Sequence, residues 1–223
     1  MVLTSLPLLL SGSLTQLIRG NSMQERELIA ILRGITLSEA DAVVAQLIEA
    51  GFTKIEIPLN SPEPLKTIAH LQRKFGEQSM FGAGTVLNVD EVKAVADTGA
   101  KLIVSPNTNL EVIRTTKTLG LHSYPGVMTP SECFSALEAG ADGLKFFPAS
   151  VVGPGGLAAM LAVLPEGVKT YAVGGASASN FAEWMAAGAT GFGLGSALYK
   201  PGRSAEDVGR IAQEMVRAYD RAR

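Results

Sequence analysis

The chain has 223 residues, 47% of them hydrophobic and 18% charged, the size and balance of one globular domain with a large core. A formal net charge of -2, with no run of five like charges, excludes a basic surface for nucleic acid or acidic lipid. Cys133 is the only cysteine, so no intrachain disulfide can form, and the two histidines, His70 and His122, lack the spacing that puts two imidazoles on one metal. Neither a metal nor a cofactor is expected.

Residues 1–22 differ from the rest: they are Leu-rich, with a short apolar run from Leu6 to Leu10 followed by Ser, Thr and Gly. No Lys or Arg precedes that run and it is too short to span a bilayer, so neither a signal peptide nor a membrane helix is expected. Residues 1–22 are read as a poorly ordered N-terminal extension, Met23 as a natural start, and 23–223 as the folded domain, expected in the cytoplasm.

From Met23 one unit repeats: a cap, an amphipathic helix, a glycine and a short apolar strand. Gly51, Gly76, Gly99, Gly120, Gly140, Gly167 and Gly188 close the helices at spacings of 20 to 27 residues. A glycine just past a helix suits the left-handed C-terminal cap. Thr36 with Glu39, Asn88 with Glu91, Thr108 with Glu111 and Thr129 with Glu132 have capping-box spacing, while Pro62 and Pro130 suit a first helical turn. In the first helix Ala40, Val43, Val44, Leu47 and Ile48 share one face.

The strands are predicted at 29–32, 54–58, 80–85, 102–105, 122–125, 142–146, 169–173 and 191–195. Eight strands alternating with helices, without a linker, predict a parallel sheet closed into a single-domain (β/α)8 TIM barrel. An open doubly wound sheet is the alternative, but no GxGxxG follows a strand. In a barrel, functional groups come from the C-terminal strand ends. Lys54, Lys101 and Lys169 stand at strand beginnings, where solvated structural roles are expected. Arg33, Glu56, Thr85, Ser105, Asn107, Tyr124, Lys145, Gly174, Gly175, Gly195 and Ser196 stand at or past strand ends and are expected to share one mouth.

Lys145 is the focus, because Leu144-Lys145-Phe146-Phe147 otherwise reads as a buried strand. Burial lowers an ammonium's pKa, and a neutral amine can attack a carbonyl to form a Schiff base, an electron sink for a carbanion. The plain alternatives are a lysine that snorkels to the mouth or pairs with a carboxylate. Glu56 shares strand parity with Lys54, so it points into the barrel, as a general acid/base or as half of a structural ion pair. Gly174-Gly175 and Gly195-Ser196, after the last two strands, are placed to bring backbone N–H groups and a helix N-terminus to a phosphate. Arg33 can fork onto a carboxylate. Thr85 ends the glycine-rich Gly82-Ala83-Gly84, where the gaps either admit a ligand or allow close packing across the barrel. These residues describe a small ketone-bearing substrate with a phosphate at one end and a carboxylate at the other. The implied chemistry is making or breaking a carbon–carbon bond.

Ile55-Glu56-Ile57, Gly82-Ala83-Gly84-Thr85-Val86, Ser105-Pro106-Asn107, Tyr124-Pro125-Gly126, Leu144-Lys145-Phe146-Phe147-Pro148-Ala149 and Gly174-Gly175 occur in that order. With them, residues from about 27 to 220 resemble the Schiff-base 2-keto-3-deoxy-6-phospho sugar acid aldolases (the KDPG/KHG aldolase family). The resemblance implies a class I aldolase (a lyase). In it Lys145 forms the Schiff base, Glu56 is the general acid/base, Thr85 helps hold the pyruvoyl carboxylate, and Gly174, Gly175, Gly195 and Ser196 hold the phosphate. It also implies pyruvate and glyceraldehyde 3-phosphate as products, and a homotrimer.

Two departures narrow the branch: Asn60 stands where the phosphogluconate-specific enzymes carry arginine, and Val173 where they carry threonine. Arg33 and Glu56-Ile57-Pro58-Leu59-Asn60-Ser61 are similar to the branch acting on 2-dehydro-3-deoxy-6-phosphogalactonate, in which Arg33 would anchor substrate. The 6-phosphogluconate epimer and 4-hydroxy-2-oxoglutarate stay open as substrates, as does a sugar-phosphate epimerase or isomerase barrel without a Schiff base.

Overall fold

The computed structural model describes residues 26–223, so the reading of 1–22 as an extension lies outside the described residues. The strands are β1 (Leu28–Ile31), β2 (Lys54–Pro58), β3 (Met80–Gly84), β4 (Leu102–Val104), β5 (His122–Tyr124), β6 (Gly126–Val127), β7 (Leu144–Phe146), β8 (Thr170–Val173) and β9 (Gly191–Leu194). The helices are α1 (Leu37–Ala50), α2 (Pro64–Phe75), α3 (Val89–Ala96), α4 (Leu110–Thr118), α5 (Pro130–Glu138), α6 (Ala149–Leu161), α7 (Phe181–Ala186) and α8 (Ala205–Ala222).

All pairings are parallel, in the order β5-β4-β3-β2-β1-β9-β8-β7-β6. The two outer strands of that order are one stretch of chain: β5 runs through Pro125 into β6. Proline has no N–H to give the ladder, so the strand predicted at 122–125 ends at Tyr124 and pairing resumes beyond it at Gly126. The Pro125 carbonyl still accepts from the Lys145 N–H at 2.9 Å, so the sheet closes. The result is the expected (β/α)8 barrel.

Strand alternation sorts the core into two shells. Outward side chains such as Ile55, Ile57, Leu144, Phe146 and Phe192 pack under the helices, while Ile29, Ile31, Leu102, Val104, Tyr124, Tyr171 and Val173 fill the barrel. Glu56 and Lys145 fall on the inner set, each between two outward apolar neighbours.

The glycine-rich third strand serves close packing. A Cβ on Gly82 would lie 1.8 Å from the Leu102 carbonyl oxygen, and one on Gly84 would lie 2.1 Å from Glu56 Oε2.

Local signals hold in most places. Thr36–Glu39 and Thr129–Glu132 form capping boxes, and the Asn88 side chain accepts from the Glu91 N–H. Three details differ. The cap of α4 is Asn109, because the Thr108 hydroxyl donates instead to the Gly126 carbonyl. α2 starts with Pro64 rather than Pro62 in its first turn. Gly76 closes α2 with φ -60, so it is not a left-handed cap.

The floor of the barrel departs from expectation. Lys54 is buried, not solvated: its Nζ donates to Glu27 at 2.7 Å. Lys169 Nζ (2.6 Å) and the Tyr171 hydroxyl (2.7 Å) donate to the same carboxylate. These hydrogen bonds outweigh the cost of burial and hold the Glu27 pKa down at about 2. Among the described residues no helix is long and apolar enough to cross a membrane.

Candidate active site

Lys145 is the middle residue of β7 and is only 8% exposed, so it does not snorkel to solvent. Its Nζ sits 4.8 Å from the centre of the Phe147 ring, within cation–π range. No carboxylate pairs with it within 4 Å among the described residues. Burial pushes its pKa down; Glu56 opposes that shift and Arg33 adds to it. An amine in this setting spends more time unprotonated than a surface lysine does.

Glu56, in the middle of β2, is 2% exposed. Its Oε2 has no hydrogen-bond partner among the described residues. Burial raises its pKa to about 7, against the pull of Lys145, Arg33 and the adjacent Gly84 backbone. A carboxyl group poised near neutrality suits proton transfer in both directions. Gly84 is required here because any side chain would overlap the carboxylate.

Arg33, just past β1, is fixed from both sides: it donates to the Asn60 side-chain oxygen and, at 3.4 Å, to the Thr85 hydroxyl. Thr85 has φ +58, a left-handed conformation that a β-branched residue adopts at a cost of about 1–3 kcal/mol. The conformation turns the chain at the end of β3 and presents the hydroxyl to Arg33.

Gly174 and Gly175, after β8, have φ +83 and +104, where glycine alone is unstrained. Their carbonyls are taken by the Ser150 N–H (2.8 Å) and the Asn180 side-chain amide (2.9 Å). The Gly195 carbonyl accepts from Leu198 and Tyr199 in a single helical turn. The N–H groups of Gly175 and Ser196 find no acceptor among the described residues. A Cβ on Gly195 would meet nothing closer than 3.9 Å, so packing does not require glycine there and the glycine leaves room for close approach to the backbone.

One cavity of about 440 Å³ is lined by Arg33, Glu56, Thr85, Lys145, Gly174, Gly175, Gly195 and Ser196 together. Three residues expected at the mouth do not line it. The Ser105 hydroxyl donates to the Val86 carbonyl, Tyr124 packs edge-on against Tyr171 deeper in the barrel, and Asn107 is not part of the wall. Phe147, Ser177 and Lys200 also line the cavity. Phe147 directly follows β7, whereas Ser177 and Lys200 sit on loops, where no periodicity marks the inward side. A hollow of about 540 Å³ beside Glu27 and Tyr219 contains none of the candidate residues.

The sequence pattern of the KDPG and KHG aldolases matches residues 20–214. The chain belongs to this aldolase family. A relative from Rhizobium meliloti (strain 1021), named "Probable 2-dehydro-3-deoxy-6-phosphogalactonate aldolase", is 53% identical over 196 residues, covering 88% of this chain and 92% of the relative. The 2-dehydro-3-deoxy-6-phosphogalactonate aldolase of Escherichia coli (strain K12) is 48% identical, covering 87% and 95%. A solved structure described as "Native KDPGal structure" superposes with a TM-score of 0.86 at 48% identity, covering 87% of this chain and 95% of that one. The part matched to the aldolase family includes all eight candidate residues.

Proposed function

We propose that the chain is a class I aldolase that cleaves 2-dehydro-3-deoxy-6-phosphogalactonate to pyruvate and D-glyceraldehyde 3-phosphate through a Schiff base on Lys145. The observation that carries this reading is the placement of a buried, unpaired lysine and a buried carboxyl group of raised pKa in one cavity. Family membership and the names of the relatives support the reaction class and the substrate.

The neutral Lys145 amine adds to the C2 ketone, and loss of water from the carbinolamine leaves a protonated Schiff base. Glu56, directly or through a water, takes the proton of the C4 hydroxyl as the C3–C4 bond breaks. The bonding pair flows through C3 and C2 to the nitrogen, giving an enamine and releasing glyceraldehyde 3-phosphate. Glu56 returns the proton to C3, and hydrolysis frees pyruvate and the amine. Thr85 and Arg33 hold the substrate at the carboxylate end, with Arg33 aimed by Asn60, and the Gly174-Gly175 and Gly195-Ser196 turns receive the phosphate.

Val173 lines the cavity with an apolar side chain. A hydroxyl presented there gains no hydrogen bond, which supports discrimination at C4. Measuring pyruvate release from the galactonate-derived and gluconate-derived 6-phosphates side by side tests the substrate. A faster galactonate reaction is expected, equal rates would remove the branch assignment, and no release from either would remove the aldolase reading.

The same reading includes a cytoplasmic homotrimer. Exposed Met128, Phe134 and Val151 offer apolar surface that a subunit contact would cover. Sedimentation equilibrium giving a monomer mass would overturn that part alone.

A further inference from the structure

Three side-chain cations line the cavity: Arg33, Lys145 and Lys200. Lys145 is the residue assigned to the ketone, and Arg33 is held by Asn60 and Thr85 at the carboxylate end. Lys200 makes no ion pair among the described residues. It stands four residues after Ser196 on a loop fastened on both sides. Before it, Arg203 Nη1 donates to the carbonyls of Leu198 (2.6 Å) and Ala197 (3.2 Å), and the Gly195 carbonyl closes the helical turn. After it, Pro201 lies against Gly34, and the Arg203 N–H donates to the Lys200 carbonyl at 3.0 Å.

The glycine end of the cavity offers only neutral donors: the N–H groups of Gly175 and Ser196 and the Ser196 hydroxyl. A phosphate monoester near pH 7 carries about 1.5 to 2 negative charges, more than neutral donors alone balance in a partly enclosed site. We propose that Lys200 is a specificity residue, whose ammonium closes over the phosphate held by the Gly174-Gly175 and Gly195-Ser196 turns and so selects phosphorylated over unphosphorylated keto acids. The inference rests on the aldolase reading for its substrate but not for its ligand, which is a phosphate group in either case.

The test compares Lys200→Met, Lys200→Arg and the unaltered full chain. Binding of inorganic phosphate, followed by titration calorimetry, is expected to weaken about 10-fold or more in Lys200→Met and to stay within about threefold in Lys200→Arg, which keeps the charge. The selectivity ratio, kcat/KM for 2-dehydro-3-deoxy-6-phosphogalactonate over that for its dephosphorylated counterpart, is expected to fall by a similar factor in Lys200→Met. The loss should be carried by KM rather than kcat, and the salt dependence of KM should shrink with it. Unchanged phosphate affinity in Lys200→Met would overturn the proposal, as would an equal loss in Lys200→Arg. If the unaltered chain cleaves neither keto acid, the aldolase reading fails while the phosphate titration still decides the role of Lys200.

Discussion

The two ends of the barrel bury the same kinds of charge and treat them in opposite ways. On the floor, Glu27 accepts from Lys54, Lys169 and Tyr171 at 2.6 to 2.7 Å, and its pKa falls to about 2. At the mouth, the Glu56 Oε2 has no hydrogen-bond partner among the described residues, Lys145 lies beyond ion-pair distance, and the Glu56 pKa rises to about 7. Burial alone therefore does not mark a functional group. What separates the two carboxylates is satisfaction: the floor cluster is saturated with donors and holds charge, whereas the mouth pair is under-satisfied and can exchange protons.

The sharpest way to break the comparison is at the mouth. Lys145→Met is expected to lower the rate of pyruvate release by roughly 10⁴-fold or more, and Glu56→Gln by about 10²- to 10⁴-fold. Both should leave resistance to urea equal or higher, because each removes a poorly compensated buried charge. A loss of stability with full activity in either variant would reverse the roles assigned to the two ends.

On the floor, Glu27→Gln is expected to cost about 3–5 kcal/mol in urea unfolding with kcat retained, since it removes the carboxylate charge that faces the ammonium groups of Lys54 and Lys169. The pH dependences should also oppose each other. Glu27 has a folded pKa below its unfolded value, so its contribution, at most about 3 kcal/mol, is present above about pH 4.5 and is lost as pH falls towards 2. Glu56 has a folded pKa above its unfolded value, so its contribution is full below about pH 4.5 and is lost as pH rises through 7. Unfolding curves of Glu27→Gln and Glu56→Gln across pH 2 to 8 should each flatten only their own window. The smallest effect is expected from Gly84→Ala, whose methyl group would push the Glu56 carboxylate aside: kcat should fall about 10- to 100-fold, with an altered pH profile on the acid side.

Most of the barrel was legible because its signals are local. Capping boxes at Thr36 and Thr129 and left-handed glycines at Gly51, Gly99, Gly140 and Gly188 punctuate the chain wherever tertiary contacts do not compete. Where such contacts compete, the local signal fails: Thr108 gives its hydroxyl to Gly126, and Asn109 becomes the cap. The inward direction of Glu56 followed from a period of two, Lys145 stood out as a charge in an apolar run, and the other candidates followed from their places at or just past strand ends. Loop residues carry no such period, which is why Ser177 and Lys200 were missed and Asn107 was expected in a wall it does not join. Lys54 was misread because its partner, Glu27, lies just before the first strand, and nothing in the sequence connects the two.

The central claim is that Lys145 is a nucleophile. Incubation with pyruvate and borohydride, followed by peptide mass spectrometry, tests it most directly. A reduced pyruvate adduct on the peptide carrying Lys145, absent in Lys145→Met, is the predicted result; an unmodified Lys145, or an adduct on another lysine, would contradict it.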